Sequence, residues 1–519
     1  MAIPIARFLP GVPLLSGSLH NRVLSWCASI GRFPSSIALA ASVVFGVPFA
    51  LFYRLILFHF YVRGSFLLDT GLLASLMWHN TAALTVPAST GGFSFFEQHV
   101  SPILVLVSAV SYWLPLTMPQ LFAAFVGLCH GILALAVLWL LVSGYGLRRG
   151  RPLALAALAS VAFAFNGQAI AIVRYPHFET FGAACLLLFF VALVLERRII
   201  AVVAFLFAIA TREDVGLHAF GFLAVWVSLN WLQGVPWRQS RWIIGFAIAG
   251  LVYSSSVLLL QHHAFPNASS FGRVYLGDPP WSQVSVGLVA DRLLGWVWLH
   301  CAIIVPAAAA VAWSVRTHNP YIVAAYIACL PWALLHLLAA SDLAGLMFGY
   351  YAYPFLIALA WPSLAVLIQH RQQPAVTVQP TAAAVCLLGM TALSLIPVGG
   401  AYNPGWITLP EAFVRPPSAT QQALTDRAVA AIASGRPLLG RLVVDTSVAA
   451  LLPRAFPRDE LAGSADGQPD TVVFLAEGFD AKRLRAVRGL PVHEAVPGTA
   501  IRIMTDRPAS TLREIGIAP

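Results

Sequence analysis

The chain has 519 residues, of which 59% are hydrophobic and only 10% are charged, and its formal net charge is +10. Soluble domains carry about 25% charged residues, and no soluble fold hides this much apolar surface. Composition therefore excludes a soluble protein and predicts an α-helical polytopic membrane protein. The excess of positive charge requires no nucleic-acid partner, because basic residues collect in the cytoplasmic loops of such proteins.

Apolar stretches that are long enough, or nearly so, to cross a bilayer recur along the first part of the chain. Eleven of them lie at about 36–60, 118–143, 152–172, 180–195, 199–211, 215–232, 242–260, 297–315, 321–340, 345–368 and 381–397. Arginine-rich loops alternate with loops that hold few basic residues. The positive-inside rule places the arginine-rich loops and residues 1–35 in the cytoplasm. About 11 transmembrane helices within residues 36–397 then leave a long first outer loop at 63–117.

The last part of the chain, residues 398–519, changes character. It holds 12 of the 21 acidic residues, and its apolar runs are short. The stretches 440–452, 470–487 and 500–506 are typical of short strands that alternate with helices. We expect a small C-terminal α/β domain, and an odd number of spans places it on the outer, extracytoplasmic face.

The acidic residues of the membrane part are unevenly distributed. They are Asp69, Glu97, Glu179, Glu196, Glu213, Asp214, Asp278, Asp291 and Asp342. Under the expected topology only Glu196 faces the cytoplasm, and the other eight gather at the outer side. Polar outer loops explain part of this bias, whereas Asp69, Glu213 and Asp214 lie next to apolar runs.

The sequence "TREDVGLH" (211–218) places three charges between two apolar stretches. The twelve apolar residues before it form about 18 Å of helix, which is shorter than the roughly 30 Å hydrocarbon core. Arg212, Glu213 and Asp214 are therefore expected below the outer surface, where charge exposed to lipid is not viable. Two interpretations remain open: an internal ion pair that only fixes helices, and the wall of a polar substrate cavity.

The first outer loop contains "FLLDTGLLASLMW" (66–78), which is amphipathic enough to lie on the membrane surface. Asp69 opens this segment where the chain has just left the bilayer. Asp69 is either a helix cap, since Asp is favoured at that position, or a general base at the membrane boundary.

Several stretches of the chain carry a resemblance to a known family. They are "LLDTGLLASLMWHNT" (67–81), "EQHVSPILVLVSAVSYWLP" (97–115), "RYPHFETFG" (174–182), "TREDVGL" (211–217), "YYAYPFLIAL" (350–359) and "DTSVAALLPRAFPRDELAG" (445–463). With an acidic residue just after the first span, the chain resembles a bacterial membrane family of unknown function within the C-type (GT-C) glycosyltransferase superfamily. Two departures are Arg212, where the family usually has Lys, and the order Pro176-His177-Phe178-Glu179 in place of consecutive His, Pro and Glu.

The resemblance implies an enzyme that takes its sugar from a polyprenyl-phosphate carrier. The expected reaction is an inverting glycosyl transfer to a glycan, lipid or protein acceptor at the outer face of the bacterial inner membrane. Asp69 is expected to be the catalytic base. The expected ligands of the donor phosphate are Arg212, Arg174 and Arg273, since guanidinium suits phosphate. The residues expected to bind substrate are Glu97, His99, His177, Glu179, Glu213, Asp214, Trp78 and Tyr351.

The sequence predicts no cofactor. Clustered acids are able to hold a divalent metal, but no spacing of ligands in the sequence favours one. Two other functions remain open, a transporter or flippase of lipid-linked sugars and a non-catalytic protein of envelope assembly. A transporter often shows two related halves with broken helices, which this sequence does not show.

Overall fold

The computed structural model describes most of the chain. The described residues are 35–63, 68–78, 82–86, 93–173, 176–266, 272–347, 349–372, 379–395, 417–444, 448, 451–452, 471–475 and 491–517. They are mostly helical as far as residue 395, and a small sheet follows. The fold class expected from composition is thus confirmed.

The helices of the first half are numbered in chain order. They are α1 Ser35–Phe58, α2 Leu68–Trp78, α3 Pro102–Ser111, α4 Met118–Trp139, α5 Gly150–Ala164, α6 Gly167–Val173, α7 Glu179–Val194, α8 Arg198–Ile209 and α9 Val215–Leu232. The π-helical turns His59–Arg63 and Leu140–Gly144 extend α1 and α4.

The second half of the membrane part continues in the same way. Its helices are α10 Trp237–Ala264, α11 Val286–Leu299, α12 Cys301–Thr317, α13 Ala324–Leu337, α14 Asp342–Gly345, α15 Phe355–Gln372 and α16 Pro380–Ser394. Helices α11 and α12 meet at a bend of 86°.

All eleven predicted spans overlap described helices, but not every helix is long enough to cross a bilayer. Among the described residues, six spans are long and apolar enough, or eight if each of two bent helix pairs forms one span. Helices α7, α8 and α16 fall short of that length. The chain is a multi-pass membrane protein, and the number of eleven spans stays a prediction.

The close packing of α1 against α4 depends on two glycines of α4. A Cβ at Gly127 would lie 2.7 Å from the carbonyl oxygen of Phe49, and one at Gly131 would lie 2.6 Å from the ring of Phe45. Small residues four positions apart let two helix backbones approach closely within a membrane. A larger residue at Gly127 would force the two backbones apart, whereas one at Gly131 would displace the ring of Phe45.

Helix α2 does not lie on the membrane surface, so that expectation was wrong. Its residues from Gly71 to Met77 are all buried, and the helix packs against α3 and α4. Apolar side chains occur all around α2, and a helix that is apolar on every side is buried in protein. The side chain of Asp69, near the start of α2, lies outside the described residues.

The C-terminal part contains helices α17 Ala419–Leu439 and α18 Ala509–Glu514. Its strands are β1 Leu442–Val444, β2 Thr471–Leu475, β3 Val492–Glu494 and β4 Ile501–Thr505, in the order β1-β2-β4-β3. Strand β1 pairs with β2 in parallel, and the other two pairings are antiparallel. Both helices contribute to the core on this sheet, and α17 also contacts the π-helical turn after α1. The extracytoplasmic location of this part stays a prediction.

Candidate functional site

The charged triplet lies in the turn between α8 and α9. Helix α8 ends at Ile209, and Asp214 is the residue immediately before α9. Helix α8 has only 12 residues and is about 18 Å long. It is therefore shorter than a full membrane span, and the turn that follows it lies among the neighbouring helices. Arg212 is 3% exposed and Glu213 is 7% exposed. The charges therefore point into the protein, as expected of groups that avoid lipid.

Arg212 is the centre of a buried ionic network. Its Nε donates to Asp214 Oδ1 at 2.6 Å, and its Nη2 donates to Asp214 Oδ2. Its Nη1 donates to Glu179 Oε1 at 2.6 Å, at the start of α7. The guanidinium also lies over the rings of Trp332, at 5.9 Å, and Tyr353, at 5.7 Å. The internal ion pair, one of the two interpretations of the triplet, is thus present.

The carboxylate of Glu179 has a second partner. His177 Nδ1 hydrogen bonds to Glu179 Oε2, and both residues are buried. The ring of His177 stacks on Tyr350, with 3.9 Å between the centroids. Glu179 is fully buried and belongs to the first turn of α7, where a negative charge interacts favourably with the helix dipole.

Glu213 joins the turn to the first outer loop. His99 Nδ1 lies 2.9 Å from Glu213 Oε1, and the backbone N–H of Val100 donates to Oε2 at 2.8 Å. Nearby, the N–H of Ile103 donates to the carbonyl of Ala210 at 2.9 Å. These contacts hold residues 99–103 against the end of α8.

Asp214 has a histidine neighbour as well. His218 Nε2 lies 3.6 Å from Asp214 Oδ2, one helical turn further along α9. Each of the three carboxylates in this region therefore lies beside one histidine. The pairs are His177 with Glu179, His99 with Glu213, and His218 with Asp214.

Electrostatics keep the central pair ionised. Burial opposes the charged guanidinium of Arg212, but the combined attraction of its neighbours, Asp214 first and Glu213 among the others, raises its pKa. Burial also opposes the carboxylate of Asp214, but Arg212, with help from His218, lowers its pKa below the usual range.

A cavity of about 480 Å³ opens beside this network. One end is charged or polar and is lined by Gln98, His99, Arg212, Glu213, Asp214, His218, Gln261, Tyr275, Trp332 and Tyr351. The rest is mostly apolar and lies between α9, α10 and α13. That part is lined by Leu217, Phe220, Gly221, Leu251, Leu258, Val274, Ala328, Pro331 and Leu335. These residues are half-exposed or exposed, so this part of the cavity is accessible from outside the protein.

A close helix contact holds the charged end in place. A Cβ at Gly216 would lie 2.4 Å from the carbonyl oxygen of Gly250, and one at Gly250 would lie 2.7 Å from that of Gly216. Gly216 is two residues after Asp214. The contact therefore fixes the start of α9 against α10 next to the carboxylates of Glu213 and Asp214. Only glycine permits this approach of the two backbones.

The structure brings together six of the residues predicted to bind substrate or phosphate. Five of them line the cavity: Arg212, Glu213, Asp214, His99 and Tyr351. The sixth, Glu179, does not line the cavity but accepts a hydrogen bond from Arg212. His177 lies next to Glu179 and is not among the residues that line the cavity.

Other predicted site residues do not line this cavity or lie outside the described part. Glu97 belongs to a capping box, in which its Oε1 accepts from the N–H of Ser94. Trp78 ends α2, and it is half-buried. The side chains of Asp69 and Arg273, and the whole of Arg174, fall outside the described residues, so their predicted roles are untested.

Sequence reasoning missed several residues of the charged end. His218 is the last letter of "TREDVGLH", and its spacing of four from Asp214 on a helix is the signal that identifies it. Gln98 lies between the predicted residues Glu97 and His99 but carries no charge that singles it out. Gln261, Tyr275 and Trp332 carry no such signal, because they come from segments that are distant in sequence. Within the described ranges, no group of three or more His, Cys, Asp or Glu residues is placed to hold a metal ion.

Among known proteins, the chain has matches in solved structures. No protein-family model and no curated protein matches the chain. The chain is similar to the crystal structure of ArnT from Cupriavidus metallidurans bound to undecaprenyl phosphate, with 15% identity and a TM-score of 0.44 over 90% of this chain and 97% of ArnT.

Proposed function

We propose that the protein is an inverting glycosyltransferase that moves a sugar from a polyprenyl-phosphate carrier to an acceptor. The transfer would take place at the outer face of the bacterial inner membrane. The observation that supports this most is the cavity, whose buried charged end continues into an apolar space between α9, α10 and α13. Such a shape suits a ligand with a polar head and a hydrocarbon chain.

In this proposal, the parts of the donor would occupy different parts of the cavity. The prenyl chain would enter sideways from the bilayer, between Leu217 and Leu335, and the phosphate and sugar would lie at the charged end. The side chain of Tyr351 and the carboxylates of Glu213 and Asp214 would contact sugar hydroxyls. A buried site of this kind strengthens electrostatic contacts to a developing charge.

Arg212 would stabilise the departing phosphate. A guanidinium has five N–H groups, and three of them donate to Asp214 and Glu179. Two N–H groups remain without a partner among the described residues. Arg174 and Arg273 stay predicted as further phosphate ligands, which would add positive charge to a site where carboxylates are in excess.

The reaction would be a single displacement. The acceptor oxygen attacks the anomeric carbon on the face opposite the phosphate, the bond from that carbon to the phosphate oxygen breaks, and the configuration inverts. A base removes the proton of the acceptor hydroxyl. The resemblance assigns that role to Asp69, which stays a prediction.

The proposal is tested by sugar transfer in liposomes that contain the purified protein. The donors are undecaprenyl phosphates that carry radiolabelled glucose, mannose, galactose or N-acetylglucosamine, and the acceptors are a bacterial envelope extract and water. We expect the wild-type protein to transfer or release at least one sugar. No transfer from any donor, with the protein folded, would contradict the proposal. Asp69→Asn tests the predicted base, and Asp291→Asn, at an exposed position of α11, is the matched control.

A further inference from the structure

His99 differs from the other two histidines that lie beside carboxylates. Its side chain is 31% exposed and lines the cavity, whereas those of His177 and His218 are 6% and 7% exposed. His177 is enclosed between Phe178 and Tyr350. Of these three imidazoles, His99 is therefore the one that a ligand in the cavity reaches most easily.

The contacts of Glu213 fix the tautomer of His99. The N–H of Val100 donates to Glu213 Oε2 at 2.8 Å, which holds the carboxylate in place as an acceptor. An ionised carboxylate only accepts hydrogen bonds, so His99 Nδ1, at 2.9 Å from Oε1, must be the donor. In the neutral imidazole, Nε2 is then unprotonated. This nitrogen makes no hydrogen bond to any residue that the structure describes.

We infer that His99 is a candidate proton acceptor of the transfer reaction, as an alternative to the Asp69 that the resemblance implies, and that Glu213 positions it. The inference rests on the proposed function and names a catalytic residue for it. An unprotonated ring nitrogen at the cavity wall, with a carboxylate behind the other nitrogen, is the arrangement that a general base requires.

The step balances without any further reactant. Nε2 takes the proton of the acceptor hydroxyl while the acceptor oxygen forms its bond to the anomeric carbon. The bond between that carbon and the phosphate oxygen breaks, and the electron pair leaves with the polyprenyl phosphate. The imidazolium that forms is stabilised by Glu213 and later returns its proton to the phosphate or to water.

The variant His99→Asn distinguishes a catalytic role of His99 from a purely structural one. The amide nitrogen of Asn lies where Nδ1 of His lies, so the variant keeps a donor for Glu213 and loses Nε2. We expect the transfer rate to fall about 10²- to 10⁴-fold, with the donor KM changed less than about threefold. His262→Asn, at an exposed position of α10, is the matched control and keeps the wild-type rate.

Two further readouts keep the test decisive if His99→Asn folds poorly. Exogenous imidazole is expected to restore at least a tenth of the wild-type rate to His99→Ala, because the cavity has room for it. In Glu213→Gln the transfer rate is expected to fall, because the imidazolium that forms on His99 loses the carboxylate that stabilises it. The other titratable or charged groups near His99 are His177, Arg212, Asp214 and His218, and they are unchanged in this variant.

The outcomes separate this inference from the function on which it rests. A wild-type transfer rate in His99→Asn, with an unchanged transfer rate in Glu213→Gln, overturns the inference and leaves the proposed glycosyltransferase activity intact. The same holds if His99→Ala is not rescued by imidazole while Asp69→Asn abolishes transfer. An absence of transfer by the wild-type protein overturns the proposed function, and the inference with it.

Discussion

Arg212 Nη1 donates to Glu179 Oε1 at 2.6 Å, although the two residues are 33 positions apart in the chain. The same guanidinium holds both carboxylate oxygens of Asp214. Arg212 therefore joins the start of α7 to the start of α9, and the planar fork of an arginine suits this double contact better than the point charge of a lysine. Among the carboxylates at the charged end of the cavity, Asp214 is the one that this cation holds directly.

Replacing Arg212 by Gln is expected to destabilise the fold. The change leaves the fully buried carboxylate of Glu179 without its cation, and breaking a buried ion pair in this way costs about 3–5 kcal/mol. Unfolding of the purified protein in a denaturing detergent measures the loss. Arg212→Lys is expected to lose less, because the charge remains while the two-pronged contact to Asp214 is lost.

The pair between Arg371 and Glu196 is the matched control for that prediction. It is also an Arg–Glu contact, at 3.1 Å, but its side chains are 39% and 81% exposed. Exposed pairs contribute about 0.2–1 kcal/mol, so Arg371→Gln should change the stability little. Equal losses in Arg212→Gln and Arg371→Gln would show that the buried network does not stabilise the fold.

Gly216→Val is expected to separate the charged end from α10. The new Cβ would lie 2.4 Å from the carbonyl oxygen of Gly250, so the two backbones must move apart. We expect a loss of stability of about 1–3 kcal/mol or more, as for other overpacked sites, together with a lower transfer rate.

Gly245→Val is the control, since a Cβ at this position of α10 meets nothing within 4 Å. Thermal unfolding in detergent compares the two variants. A Gly216→Val protein as stable and active as Gly245→Val would rule out the close contact of α9 with α10.

The stability of the protein is expected to fall in acid through Asp214. The pKa of this carboxyl is lower in the folded protein than in the unfolded chain, where it is about 3.9. As the pH falls below about 5, the unfolded chain takes up the proton first, so the stabilisation is present above the unfolded pKa and is lost below it.

Thermal unfolding of the wild-type protein and of Asp214→Asn between pH 3 and pH 7 checks this. The difference between them should be constant above about pH 5 and shrink towards pH 3. A difference that grows on acidification would contradict the assignment of an ionised Asp214 paired with Arg212.

Part of the site could be predicted from the sequence, because charge is costly within a membrane protein. Arg212, Glu213 and Asp214 stood out between two apolar stretches, and the structure places them beside a cavity, with Arg212 and Glu213 buried and Asp214 half-buried. The pairing of Arg212 with Glu179 was not predicted as a contact. It depends on how α7 packs against α8, and no local pattern in the sequence encodes that.

Other features could not be read from the sequence for physical reasons. Helix α2 was expected on the membrane surface, but its apolar residues surround the helix and are buried on every side. Trp332 and Tyr275 reach the cavity from the second half of the membrane part. Their places follow from tertiary packing, and aromatic residues also collect at bilayer interfaces without any functional role.

The central claim is that the cavity holds a polyprenyl phosphate, and photocrosslinking tests it most directly. Undecaprenyl phosphate with a diazirine in its chain is added to the protein in liposomes, and the labelled peptides are identified. The test variant is Gly221→Phe, whose new side chain would fill the apolar part of the cavity. The matched control is Gly245→Phe, whose new side chain would meet open space outside the cavity.

We predict label on the segments of α9, α10 and α13 that line the cavity, and at least a tenfold loss of it in Gly221→Phe but not in Gly245→Phe. Label spread evenly over the lipid-facing helices, or the same amount of label in Gly221→Phe as in the wild-type protein, would contradict the claim.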